Sequence, residues 1–135
     1  MQPRSRLLPL PESVFLRGVQ VVPGRGRGRA IGIPTINVSL ASVPEHLERG
    51  IYACRITIDG TIYPGALHYG PRPAFNDTET MEIHVIDRAI GNVPPAVDLE
   101  IVGFIRGVEN FPSTEALKEA IGDDIEAARG MLDIA

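Results

Sequence analysis

Two runs rich in β-branched residues, IYACRITI (51–58) and TIYPGALHY (61–69), are separated only by Asp59-Gly60. A two-residue Asp-Gly link supplies the left-handed backbone of a tight hairpin turn, so the two runs are expected to pair as antiparallel neighbours. The rest of the chain repeats this grammar. VFLRGVQVVPG (14–24) reads as a strand that stops at Pro-Gly, and TINVSL (35–40) as a short extended piece. ASVPEHLERG (41–50) reads as a loop with one helical turn. In MEIHVID (81–87), Met81, Ile83 and Val85 share one face, and Glu82, His84 and Ile86 share the other. In VDLEIVGFI (97–105), Val97, Leu99 and Ile101 oppose Asp98 and Glu100. Only the end differs. Leu117, Ile121, Ile125, Ala128 and Leu132 fall on one helix face, with Ser113 as N-cap and Glu115 in the favourable first turn. Gly122 costs that helix about 1 kcal/mol against alanine, and tight packing is the one reason the sequence offers for it. Five or six short strands and one terminal helix predict a mainly β protein, a small antiparallel barrel with the helix packed outside. No strand–helix–strand alternation is present, which excludes a doubly wound sheet.

Composition narrows the class. At 135 residues and 44% hydrophobic, the chain has a core and room for one domain, read as 14–135 behind an N-terminal extension, 1–13. No apolar run approaches the ~20 residues of a membrane helix, and the proline-broken start does not read as a signal peptide. The expectation is a soluble, cytoplasmic and monomeric protein. The single cysteine, Cys54, sits in an apolar strand and reads as buried filler. The net charge of −4, from 17 acidic and 13 basic residues, argues against a nucleic-acid surface, as does an aromatic content of 5%.

One stretch is not explained by folding. GRGRGRAIGIPTIN (24–37) packs four glycines, three arginines and one proline into fourteen residues. Backbone N–H groups of such a loop can converge on a phosphate because no side chain blocks the approach, and arginines add charge-assisted bonds. It lacks the Gly-Lys-Ser/Thr ending of a Walker A loop and opens no helix. Thr35 and Asn37 alternate along the extended segment that follows, so both offer neutral oxygens on one face. These suit Mg²⁺ beside nucleotide phosphates, or simply cap a turn.

The pattern G-x-G-R-G-R-x-x-G-x-P-T-x-N closely resembles the ATP-binding segment of the riboflavin kinase family. By that resemblance Thr35 and Asn37 bind ATP phosphates and the metal, with Gly24 and Arg29 near the phosphates. The likeness runs from about Phe15 to Leu132. GIY at 50–52 and YPGALHYGPRPAF at 63–75 are similar to family segments in the same order. MEIHVID resembles the family strand bearing Glu-x-His, which makes Glu82 the catalytic base. FIRGVENF and the terminal helix match the closing strand and flavin-side loop, implying flavin contacts for Arg106 and Phe111. The resemblance implies a six-stranded antiparallel Greek-key barrel with a C-terminal helix, consistent with the strand reading above.

The implied reaction is riboflavin plus ATP giving FMN plus ADP, with Mg²⁺ or another divalent cation. Such transfers depend on positioning and on neutralising phosphate charge. A glutamate, with a reference pKa of about 4.3, is ionised at neutral pH and can accept the hydroxyl proton. His84 reads as a structural hydrogen-bonding residue, and Tyr52, Tyr63 and Tyr69 as barrel packing. The chain departs from the family pattern in three places. AIGNVPPAV (89–97) replaces a loop with an aromatic-glycine pair, Val108 stands where an acid is usual, and His68 stands at a family asparagine. A non-catalytic flavin- or nucleotide-binding paralogue is the alternative. With 135 residues there is no room for an adenylyltransferase half, so FAD synthesis is not expected.

Overall fold

A computed structural model describes residues 8–24, 32–71 and 79–133, less the side chains of residues 8, 9 and 11. Within them the strands are β1 (Leu8–Gln20), β2 (Ile36–Val38), β3 (Gly50–Ile58), β4 (Thr61–Gly70), β5 (Thr80–Val85) and β6 (Ala96–Arg106), followed by helix α1 (Thr114–Met131). They form one antiparallel sheet in the order β1-β6-β3-β4-β5-β2. The unit β6-β3-β4-β5 is a Greek key, because β6 returns to lie beside β3. The outer strands then meet. Val21 bridges Val38, Ser39 N–H donates to the Gln20 carbonyl at 2.8 Å, and Val22 N–H donates to the Asn37 carbonyl at 2.9 Å. These bonds curl the sheet into a barrel and lay the chain after β1 alongside β2.

The hairpin between β3 and β4 turns at Asp59 and Gly60, both at positive φ (48° and 80°), as the sequence predicts. β1 starts at Leu8 and not at Val14. Residues 8–13, part of the stretch set apart as an extension, pair through Leu8 with Phe104 and Pro9 with Gly103. Prolines are tolerated there because β1 is a sheet-end strand whose register slips between Pro9 and Val14.

The alternation sorts the side chains. Tyr52, Cys54, Ile56, Leu67, Met81, Ile83, Val97, Leu99 and Ile101 fill the barrel, where Tyr52 meets Phe104 edge-on at 5.3 Å. Ile90 and Val93, from the divergent 89–97 loop, also pack against this core. A second cluster, Ile51, Ala53, Ile86, Ile105, Ala128 and Leu132, seals α1 to the outside of the sheet. Ser113 caps α1 as expected, its hydroxyl accepting from Ala116 N–H at 3.1 Å. Two helix expectations are corrected. The buried face runs Leu117, Ala120, Asp124, Ala128, so an acid lies in a seam where apolar spacing placed only Leu117, Ile121, Ile125, Ala128 and Leu132. Of these, Leu117, Ala128 and Leu132 are buried and Ile125 packs half-buried against the second cluster. And Gly122 is not tightly packed, for a Cβ there would meet nothing within 4 Å.

Candidate active site

The site is assembled by sheet register. Asn37 pairs with Glu82, Glu82 with His68, His68 with Ile51 and Ile51 with Arg106, one residue from each of β2, β5, β4, β3 and β6. Directly opposed residues share a face, and here the opposite face is the barrel core. The row of side chains therefore lies on the outer side. Four strand spacings of about 4.8 Å make it roughly 19 Å from end to end.

At one end four residues singled out in the sequence come together. Glu82 is 8% exposed. Its Oε1 accepts from the Thr35 hydroxyl at 3.1 Å, across 47 residues of chain. Asn37 lies beside it on β2, and Gly24 lies against Asn37. A Cβ on Gly24 would collide with Asn37 Nδ2 and sit 2.8 Å from its Cγ. That contact needs glycine for space, and the Val22–Asn37 backbone bond creates it. His84 holds the same segment from below, Nδ1–H donating to the Pro34 carbonyl at 2.9 Å. Its structural reading fits this contact. Arg29 lies outside the described residues.

Two further groups touch Glu82. Thr80, two residues back on the same face of β5, donates its hydroxyl to Oε2 at 3.0 Å. His68, also buried, places Nδ1 3.8 Å from Oε2 while Nε2 donates to the Pro71 carbonyl at 3.2 Å. Sequence reading passed over Thr80, although its i, i+2 spacing from Glu82 on a strand was the available signal.

At the other end Arg106 and Phe111 are together, the guanidinium 5.3 Å from the ring centroid. Arg106 is only 4% exposed and is gripped by Asp124 of α1 through two bonds, Nε to Oδ1 and Nη2 to Oδ2, each 2.8 Å. Nη1 donates to the Gly107 carbonyl at 3.0 Å. Asp124, not singled out in the sequence, is thus what fixes Arg106. Three strand spacings, roughly 14 Å along the sheet, separate this end from Glu82.

The donor set at the Glu82 end is a hydroxyl, an amide and a carboxylate, hard oxygens of the kind Mg²⁺ takes while it keeps phosphate and water ligands. Among the described residues no group of three or more His, Cys, Asp or Glu is placed to hold a metal. Gly24, where any side chain would displace Asn37, leaves bare backbone next to that amide. The residues present fit a divalent cation carried in on phosphates. No helix among the described residues is long and apolar enough to cross a membrane.

Comparison with known proteins agrees. The family model for flavokinase, riboflavin kinase, matches residues 10–132. The riboflavin kinase of Mus musculus is 35% identical over 130 residues, covering 89% of this chain and 81% of the mouse protein. The bifunctional riboflavin kinase/FMN adenylyltransferase of Haemophilus influenzae is 31% identical over 135 residues. The match takes in 98% of this chain but only 42% of that longer protein. Among solved structures, riboflavin kinase from Trypanosoma brucei superposes with a TM-score of 0.60 at 27% identity, covering 90% of this chain and 81% of that one. The six-stranded barrel, its terminal helix and the matched span together show that the chain belongs to the riboflavin kinase family.

Proposed function

We infer that the protein is a riboflavin kinase, moving the γ-phosphate of ATP to the ribityl 5′-hydroxyl of riboflavin and releasing FMN and ADP. The observation that carries this is the convergence of Gly24, Thr35, Asn37 and Glu82 from three separate segments onto one end of the cross-strand row. Phosphoryl transfer asks the protein chiefly for positioning and charge stabilisation. Thr35 and Asn37 would hold Mg²⁺, which supplies neutralisation of phosphate charge. The Thr35 hydroxyl donates to Glu82 Oε1, so its lone pairs stay available to a cation while its proton is committed to the carboxylate. Glu82 orients the attacking hydroxyl and accepts its proton. Gly24 leaves room for phosphate against Asn37, with Arg29 assigned to the same phosphates.

The far end of the row suits the flavin ring. Riboflavin carries its ring and its reacting hydroxyl at opposite ends of a five-carbon chain, and Arg106 with Phe111 stands about 14 Å along the sheet from Glu82. With its Nε, Nη1 and Nη2 already engaged, Arg106 is suited to present Phe111 and the 107–113 loop more than to reach out itself. We assign the monomer and the cytoplasm to this reading as expectations for a soluble metabolic enzyme.

The test is incubation of the purified chain with riboflavin, ATP and Mg²⁺, followed by chromatography. The expected result is FMN and ADP in equal amounts, lost on chelation with EDTA and restored by added Mg²⁺. Tight riboflavin or nucleotide binding with no FMN would replace the kinase reading by that of a binding paralogue.

A further inference from the structure

Glu82 has two carboxylate oxygens, and the chain treats them differently. Oε1 faces Thr35, on the side where Asn37 and Gly24 lie. Oε2 faces the sheet: the Thr80 hydroxyl donates to it at 3.0 Å, and the buried His68 ring, tied to the Pro71 carbonyl, stands behind it with Nδ1 at 3.8 Å. Thr80 lies in β5 itself, so this contact is set by strand geometry and does not depend on loop position. The geometry points to Thr80 as a positioning residue that anchors Oε2 and so assigns the proton-accepting role to Oε1.

This rests on the kinase reading. The step balances as follows. The 5′-hydroxyl oxygen forms a bond to the γ-phosphorus, and its proton passes to Glu82 Oε1. The bond from that phosphorus to the β,γ-bridging oxygen breaks, with its electron pair leaving on ADP. A carboxylate pinned at Oε2 cannot swing Oε2 toward the phosphate side, so only Oε1 meets the hydroxyl, and small errors of placement at the reacting atoms cost large factors in rate. Thr80 touches no substrate; it acts through Glu82.

Thr80→Val keeps the β-branched shape that suits a strand and removes only the hydroxyl. Thr80→Ser restores the hydroxyl. The expected result for Thr80→Val is a fall in kcat of about tenfold or more, with KM for riboflavin and for MgATP within about twofold of wild type and an unchanged melting midpoint. Thr80→Ser is expected to recover most of the lost kcat. A crystal structure of Thr80→Val is expected to show the Glu82 carboxylate rotated from its wild-type position. A kcat within twofold of wild type, or no recovery in Thr80→Ser, would overturn the proposal. Should the wild type make no FMN, the kinase reading fails by itself. The crystal structures still decide the anchoring: an unmoved carboxylate in Thr80→Val refutes it, and a rotated one supports it.

Discussion

At the scale of single residues, the sharpest constraint is Gly24. Any side chain there runs into the Asn37 amide, and the amide has backbone on one side and Glu82 as its register partner on the other. Gly24→Ala is expected to raise KM for MgATP about tenfold or more through displacement of Asn37, while the melting midpoint moves little, because Gly24 is exposed. Steady-state kinetics with a thermal melt checks both halves. Thr35 and Asn37 were singled out in the sequence by their alternation after a glycine-rich loop. Gly24 and Glu82 were singled out only through the resemblance to the family, since Glu82 by its pattern alone reads as a solvated strand residue. Thr80 and His68 were not legible as partners of Glu82. Thr80 reads as an ordinary strand threonine until the carboxylate is seen to turn back toward it. His68 reaches Glu82 only through the pairing of β4 with β5, which no local pattern encodes.

At the scale of elements, α1 is attached by more than its apolar seam. The Arg106–Asp124 pair is buried on both sides and doubly bonded. Removing one partner leaves an uncompensated buried charge, which costs about 3–5 kcal/mol, whereas replacing both by apolar residues of similar size is often neutral. Asp124→Ala is therefore expected to lower stability by about that amount in a denaturant titration, and Arg106→Met with Asp124→Leu to recover most of it. At the exposed end of the helix, Arg129 holds Asp87, and that hydrogen bond keeps the Asp87 carboxyl below the usual range. A depressed carboxyl stabilises above its unfolded pKa and loses that contribution as pH falls through its folded value, so the effect of Asp87→Asn should fade in acid. Gly122 works the other way. With open space around its Cβ position, Gly122→Ala is expected to gain about 1 kcal/mol in the same titration. The helix was legible from its spacing and its cap. Its ion pair was not, because an aspartate at position 124 reads as a solvated charge unless the buried arginine of β6 is known to lie opposite.

At the scale of the whole molecule, the fold was readable because β5 and β6 alternate, β3 and β4 are rich in β-branched residues, and the Asp59-Gly60 turn between them is unambiguous. The barrel itself was expected from the strands and turns; what the sequence did not carry was the set of contacts that closes it. The contacts joining Val21 and Val22 to Val38 and Asn37 link segments with no shared pattern, yet they convert a sheet into a barrel and deliver Gly24 to the site. The sealed interior also has a solution consequence. Burial lifts the Cys54 thiol from its ordinary 9.0 to about 12. It likewise lifts the Tyr52 phenol, whose hydroxyl donates to the Glu48 carbonyl, from 10.0 to about 12. Between pH 9 and 12 the folded chain then holds protons that the unfolded chain releases, so stability should fall as pH rises through that window. Denaturant midpoints at stepped pH check this, and Cys54→Ala should flatten part of the slope. Over the same range Cys54 should resist thiol reagents until the protein unfolds.

The central claim is a division of labour: Gly24, Thr35 and Asn37 hold the phosphates and cation, and Glu82 takes the proton. The most direct measurement pairs FMN formation with MgATP binding by calorimetry, in wild type and in Glu82→Gln. The expected result is a fall in turnover of about a hundredfold or more, with MgATP affinity within about threefold of wild type. Turnover that survives in Glu82→Gln, or MgATP binding that is lost together with it, would contradict the claim.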